Sequence, residues 1–120
     1  MKNNIYKIAF YVWIVFILIS TSYPRISISD EHIIGLDKLA HIFLYFIFAF
    51  LFLKKQSIIT LKHLKHLIIM SFLIPLGDEL HQLFIPGRNF SLYDIVADII
   101  GFYIIISVTY FTKFHSQNRN

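Results

Sequence analysis

Four apolar stretches run along the chain, each bounded by polar or basic residues. They predict transmembrane helices at about residues 5–23, 38–53, 64–85 and 91–112. At about 1.5 Å per residue, each can cross roughly 30 Å of hydrocarbon with some tilt. The first has an unbroken apolar centre from Ile8 to Ile19. Lys2 and Lys7 ahead of it also resemble the start of a secretory signal. However, Ser20-Thr21-Ser22-Tyr23-Pro24 makes a poor cleavage site, and Tyr6, Trp13 and Tyr23 suit a permanent span. An uncleaved first transmembrane helix is expected. Pro24 ends it, and residues 22–36 read as a polar linker in which Ile26, Ile28, His32 and Ile33 lie along the membrane surface. The second segment opens at Asp37 and closes at Lys54-Lys55, where a basic loop leads to Lys65. The third carries Pro75, an expected kink. Pro86-Gly87 is a turn signal, and the fourth segment opens at Ser91. The fold class is therefore all-α: an integral membrane four-helix bundle, a single domain over 1–120, with a short outer hairpin between helices 3 and 4.

Composition agrees with that pattern. Of 120 residues 57% are hydrophobic, so lipid is the main solvent of this chain and the bilayer its first partner. With no cysteine, disulfides, thiolate nucleophiles and cysteine metal sites are excluded. The net charge of +4 does not indicate nucleic acid, because the lysines flank apolar segments and act as topology signals. Lys2, Lys7, Lys54, Lys55, Lys62, Lys65, Lys113 and Arg119 lie at the termini and middle loop, against Arg25, Lys38 and Arg88 on the other side. The positive-inside rule puts both termini in the cytoplasm of a multi-pass inner-membrane protein. All seven acids then fall on the outer side.

Ionisable groups are expensive in a bilayer, and here they cluster. Asp78 lies about 10 Å below the outer end of the third helix, and Asp98 reaches a similar depth in the fourth. His41 sits about one turn into the second. Helical spacing aligns Lys38, His41 and Tyr45; Asp94, Asp98 and Gly101; and Asp78 with Gln82. Turned inward together, these stripes make a polar pocket open to the outside. Some members have structural readings: Ser91 and Asp94 fit a capping box, Asp37 fits a cap of the second helix, and Arg88 fits an outer carboxylate or a lipid headgroup. His81 reads as a satisfied polar or interfacial residue, His63 and His66 as solvated, and Met70, Phe72 and the phenylalanines from Phe43 to Phe52 as packing or lipid-facing. Asp98, Asp78, Glu79 and His41 lie too far inside their helices to cap them, which marks them as catalytic candidates. Lys38, Gln82, Arg88, Ser91, Asp94 and Asp37 are binding candidates. The carboxylates could hold a divalent cation such as magnesium, and His41 could act as base or nucleophile. Arg88 suits a phosphate or carboxylate group.

The ordered set Asp37-Lys38-Leu39-Ala40-His41 with Tyr45, Gly77-Asp78-Glu79, His81-Gln82, Phe84, Pro86-Gly87-Arg88, Ser91, Asp94, Asp98 and Gly101 resembles the VanZ-like membrane protein family. The resemblance implies a small, four-helix protein of the bacterial cytoplasmic membrane, and the family's founding member is associated with teicoplanin resistance. It carries over the motif acids Glu79 and Asp98. The leading expectation is a protein acting at the cell envelope that binds or modifies an amphiphilic, anionic envelope component or lipoglycopeptide steered by Arg88 and Lys38, lowering glycopeptide susceptibility. Two rivals remain open: a metal-assisted hydrolase or transferase on a lipid-linked substrate, and a non-catalytic partner of another membrane protein.

Overall fold

Long runs of Ile, Leu, Phe and Val without glycine or proline favour helix wherever water cannot satisfy the backbone, since a helix closes its own hydrogen bonds. The computed structural model of the chain describes residues 2–22, 31–86 and 91–115, with only the backbone of 2–3 and 31–35. It contains α1 (Lys2–Ser22), α2 (Glu31–Lys54), α3 (Leu61–Gln82) and α4 (Leu92–Thr109), which continues into a π-helical turn over Tyr110–Phe114. The described residues hold no strand. Helix α2 starts at Glu31, ahead of the expected opening at Asp37, so Asp37 is already in its second turn and cannot be its N-cap. The proposed linker is correspondingly shorter. Arg25 and Asp30 lie outside the described residues, as do Gly87 and Arg88 of the expected turn.

Among the described residues three helices are long and apolar enough to cross a membrane: Asn4–Ser22, Leu36–Lys54 and Leu92–Phe114. Helix α3 falls short of that standard, although its 22 residues reach about 33 Å. Lys62, His63, Lys65 and His66 occupy its first turns and Asp78, Glu79 and His81 its last, leaving an apolar centre between polar ends. His63 is not merely solvated: its Nδ1 accepts from the Thr60 backbone N–H at 3.1 Å and caps the helix start. Pro75 lies buried within α3, which runs on through it.

Helix α4 packs against α2 and α3, and α1 leans mainly on α2. The core joins Phe10 and Ile17 of α1, Tyr45, Phe48, Ala49 and Leu53 of α2, Leu64 and Leu67 of α3, and Phe102, Ile105 and Ile106 of α4. The Tyr45 and Phe102 rings stack at 5.4 Å, and the Trp13 indole N–H donates to the Leu44 carbonyl at 2.8 Å, tying α1 to α2. Ile5, Ile8, Val12, Val15 and Ile19 of α1 remain exposed, as a lipid-facing surface would be.

Helices α2 and α4 come into backbone contact at Gly101. A Cβ there would collide with the Ile42 carbonyl oxygen and stand 2.9 Å from the Phe46 backbone nitrogen. Small residues at such crossings let backbones pack directly, the main source of helix association in lipid. Gly77, by contrast, has nothing within 4 Å of its Cβ position.

These two glycines should respond oppositely to alanine. Gly101→Ala must push apart backbone on both neighbours, and we expect a loss of about 2 kcal/mol, in the range of overpacked cores. Gly77→Ala meets no neighbour and should gain about 0.5–1 kcal/mol of helix preference. Heat unfolding of the purified protein in detergent reads both. A Gly101→Ala variant as stable as wild type would refute the close crossing.

Candidate functional site

Helical periodicity brings Asp37, Lys38 and His41 to the same side of α2, and Asp94 and Asp98 to the side of α4 that faces it. Because the two helices nearly touch at Gly101, one turn beyond Asp98, these side chains meet directly. His41 Nδ1 lies 2.8 Å from Asp98 Oδ1, with both residues buried. The other ring nitrogen, Nε2, faces Asp94 Oδ2 at 3.7 Å and Asp37 Oδ1 at 4.0 Å. Lys38 Nζ pairs with Asp94 Oδ1 and lies 3.5 Å from Asp37 Oδ2. A histidine with carboxylates at both ring nitrogens has two stable uses. Charged, it donates to both sides; neutral, it donates through Nδ1 and leaves Nε2 a free lone pair.

The start of α4 links α3 to this cluster. Ser91 Oγ accepts from the Asp94 backbone N–H at 3.3 Å, which is half of the expected capping box. The other half is made by a different residue. Glu79 Oε2, from α3, accepts the Ser91 N–H at 3.0 Å, the role the local sequence gave to Asp94. Asp94 is thereby released to pair with Lys38 and to face His41.

Asp78 does not join this group. The buried side of α3 carries Ser71, Pro75, Glu79 and Gln82, whereas Asp78 points toward α1 and α2. There Asp78 Oδ2 accepts from the Tyr45 hydroxyl at 3.3 Å. The expected pairing of Asp78 with Gln82 on one face therefore gives way to Glu79 with Gln82. His81 is exposed, and its Nε2 lies 3.0 Å from Ser22 Oγ at the end of α1. Of the ten candidate site residues, Asp37, Lys38, His41, Asp94 and Asp98 form one network, Ser91 and Glu79 adjoin it, Gln82 is buried beside Glu79's helix face, Asp78 stands apart, and Arg88 lies outside the described residues.

Three buried atoms in this region have no hydrogen-bond partner among the described residues: Glu79 Oε1, Gln82 Nε2 and Asp98 Oδ2. Each such atom costs about 1–3 kcal/mol of desolvation. Asp37, His41 and Asp94 each offer a ligand atom within 4.8 Å of the others, a donor set that suits a divalent cation. Asp98 behind His41 Nδ1 would orient the ring for that task. The Lys38 ammonium already lies against Asp37 and Asp94, however, so a cation would have to displace it.

Sequence reasoning did not assign a role to the space between α1, α2 and α3. A cavity of about 530 Å³ lies there, lined by Phe10, Ile14, Phe48, Phe52, Met70 and Ile74 among others, with Asp78 and His81 also on its wall. The available signals were a glycine in mid-helix at Gly77 and the spacing of Phe10, Ile14 and Ile17 along α1.

Comparison with curated proteins and with solved structures gave no match. The VanZ/LLP1 family model matches residues 2–113, which takes in all four helices and every residue of the cluster. The histidine, lysine and acids of α2–α4 are thus carried by a membrane protein that belongs to the VanZ/LLP1 family.

Proposed function

We propose that this protein is a four-helix bundle of the bacterial cytoplasmic membrane, with both termini inside and the α3–α4 hairpin outside, that binds an amphiphilic envelope molecule at its polar cluster. The distribution of charge supports the orientation. Lys54, Lys55, Lys62, Lys65 and Lys113 belong to one end of the helices, and Asp37, Asp78, Glu79, Asp94 and Asp98 to the other. The observation that supports the binding role is the group of buried atoms without a partner among the described residues, Glu79 Oε1, Gln82 Nε2 and Asp98 Oδ2, beside the His41–Asp98 pair. A purely structural network would pair its polar groups, because an orphan costs more than an apolar replacement.

The donor set favours a particular headgroup. Lys38 is engaged by Asp94 and Asp37, and acids outnumber bases around His41. Hydroxyl or ammonium groups of a ligand fit this balance better than the anionic headgroup expected from Lys38 and Arg88. A lipoglycopeptide such as teicoplanin, or an envelope component that it targets, is the class implied by the family. Binding there would lower glycopeptide susceptibility by sequestering or altering that molecule. The donor set of Asp37, His41 and Asp94 favours a second reading, metal-assisted hydrolysis or transfer on a lipid-linked substrate, in which these residues would hold the ion. Bound divalent metal in the purified protein, lost in Asp94→Asn, would support it.

Two experiments test the main reading. In purified protein, Asp98→Asn and Glu79→Gln keep an acceptor oxygen for His41 and for the Ser91 N–H while removing charge. Stability should therefore hold or rise by up to about 2 kcal/mol, as at sites retained for function. A fall of about 3–5 kcal/mol, the cost of breaking a buried pair, would make the cluster an interhelical lock. In cells, His41→Ala and Glu79→Gln should each abolish the change in teicoplanin susceptibility that the wild-type gene confers, at unchanged protein abundance, whereas an effect of Arg88→Ala would restore the anionic headgroup. His41→Ala and Glu79→Gln variants that behave like wild type would refute the proposal.

A further inference from the structure

The cavity between α1, α2 and α3 has a shape and polarity that the polar cluster does not explain. Phe10 and Ile14 of α1, Phe48 and Phe52 of α2, and Met70 and Ile74 of α3 make its walls apolar. Polar groups enter only toward the α3–α4 end, where Asp78, His81 and the Tyr45 hydroxyl are found. Along α3 the lining runs from Met70 to His81, through Ile74, Gly77 and Asp78 on one side of the helix, a span of eleven residue steps. That is a depth of about 16 Å, roughly half of a 30 Å hydrocarbon core. Its volume, about 530 Å³, is that of a small-ligand site rather than a packing defect.

Gly77 leaves its stretch of the wall without a side chain. It stands in the lining where a side chain would project into space instead of into a neighbour. A glycine in mid-helix costs stability, and no close helix crossing requires one at this position.

We propose that this slot seats one acyl chain of an amphiphile and that Asp78 receives the hydrogen-bond-donating headgroup, a hydroxyl or an ammonium. The identification of the ligand class rests on the amphiphile-binding reading above. The depth fits a chain confined to a single leaflet. At the polar end, Asp78 accepts from the Tyr45 hydroxyl and is also met by the Thr21 side chain of α1, and its remaining lone pairs face a ligand donor. An anionic headgroup would meet like charge there. Ser22 and His81 tie the ends of α1 and α3 together beside this mouth.

The test uses the full-length protein in phosphatidylcholine vesicles with a monoacylglycerol that carries a photoreactive diazirine on its chain. Cross-links mapped by mass spectrometry should concentrate on Phe10, Ile14, Met70 and Ile74, and unlabelled monoacylglycerol should compete. Gly77→Phe fills the slot and should reduce labelling by at least about tenfold, while its unfolding temperature stays at the wild-type value. Asp78→Ala should weaken labelling too, and the matching diazirine fatty acid should label at least about tenfold less than the monoacylglycerol. An alkylamine probe of the same chain length separates ammonium from hydroxyl recognition, and either preference supports the proposal. Equal labelling of Ile69, Phe72 and Leu73, which are exposed on other sides of α3, would mean bulk lipid only and overturn it. So would labelling unchanged by Gly77→Phe. If Gly77→Phe does not fold, absence of competition in the wild-type protein overturns it equally. Failure of labelling while His41→Ala and Glu79→Gln abolish the susceptibility change would remove the slot and leave the polar cluster's role standing. Labelling that persists while those variants act like wild type would do the reverse.

Discussion

The contact of α2 with α4 at Gly101 is the constraint on which the site depends. Helices whose side chains interdigitate usually keep their axes 8–10 Å apart, and a glycine permits backbone to rest against backbone. Here the Ile42 carbonyl and the Phe46 nitrogen occupy the space that a Cβ would need. His41 precedes Ile42, and Asp98 precedes Gly101 by about one turn, so the same approach that seats the glycine sets the 2.8 Å contact between imidazole and carboxylate. Ala97 and Ala49, also buried, keep side chains small along the two helices. In lipid the hydrophobic effect offers little reason for helices to associate, which leaves packing and hydrogen bonds of this kind to hold them.

The polar groups are distributed by exchange between helices. Serine at the start of a helix normally shares a capping box with an acid three residues on. Glu79 reaches over from α3 to take the Ser91 N–H, and Asp94 turns to Lys38 and His41 instead. One carboxylate supplied from outside the helix thus converts a local capping residue into part of a buried ionic network. The exchange also ties the polar C-terminal end of α3, the least apolar helix, to α4. Glu79 Oε1 and Asp98 Oδ2 stay buried without partners among the described residues, which is the desolvation cost that the proposed ligand would offset.

Polar and apolar features meet at adjacent positions of α3. Glu79 and Gln82 turn toward the buried side, whereas Gly77, Asp78 and His81 line the slot facing α1 and α2. Asp78 and Glu79 are neighbours in the chain, yet a rotation of about 100° per residue sends them to different surroundings. Tyr45 sits between the two regions: its ring stacks on Phe102 in the core, and its hydroxyl reaches Asp78.

Much of this was legible in the chain. Helical class, the apolar segments, the separation of lysines from acids and the family all follow from composition, spacing and an ordered motif, because each depends on residues near one another in sequence. The stripes Lys38–His41–Tyr45 and Asp94–Asp98–Gly101 were visible for the same reason: periodicity alone puts their members on one side of a helix. Periodicity does not say which side meets which neighbour. Asp78 was grouped with Gln82 because they are four residues apart, but the rotation of α3 against α4 selected Glu79. Asp37 has the residue type and place of a cap ahead of the apolar run, but α2 begins at Glu31 and takes it into the second turn. The slot had no sequence signature beyond a lone glycine, since a cavity is defined by three helices failing to fill a space together. Local rules decide what each helix can present; only the packing of the helices decides which of those groups meet, and where they leave room.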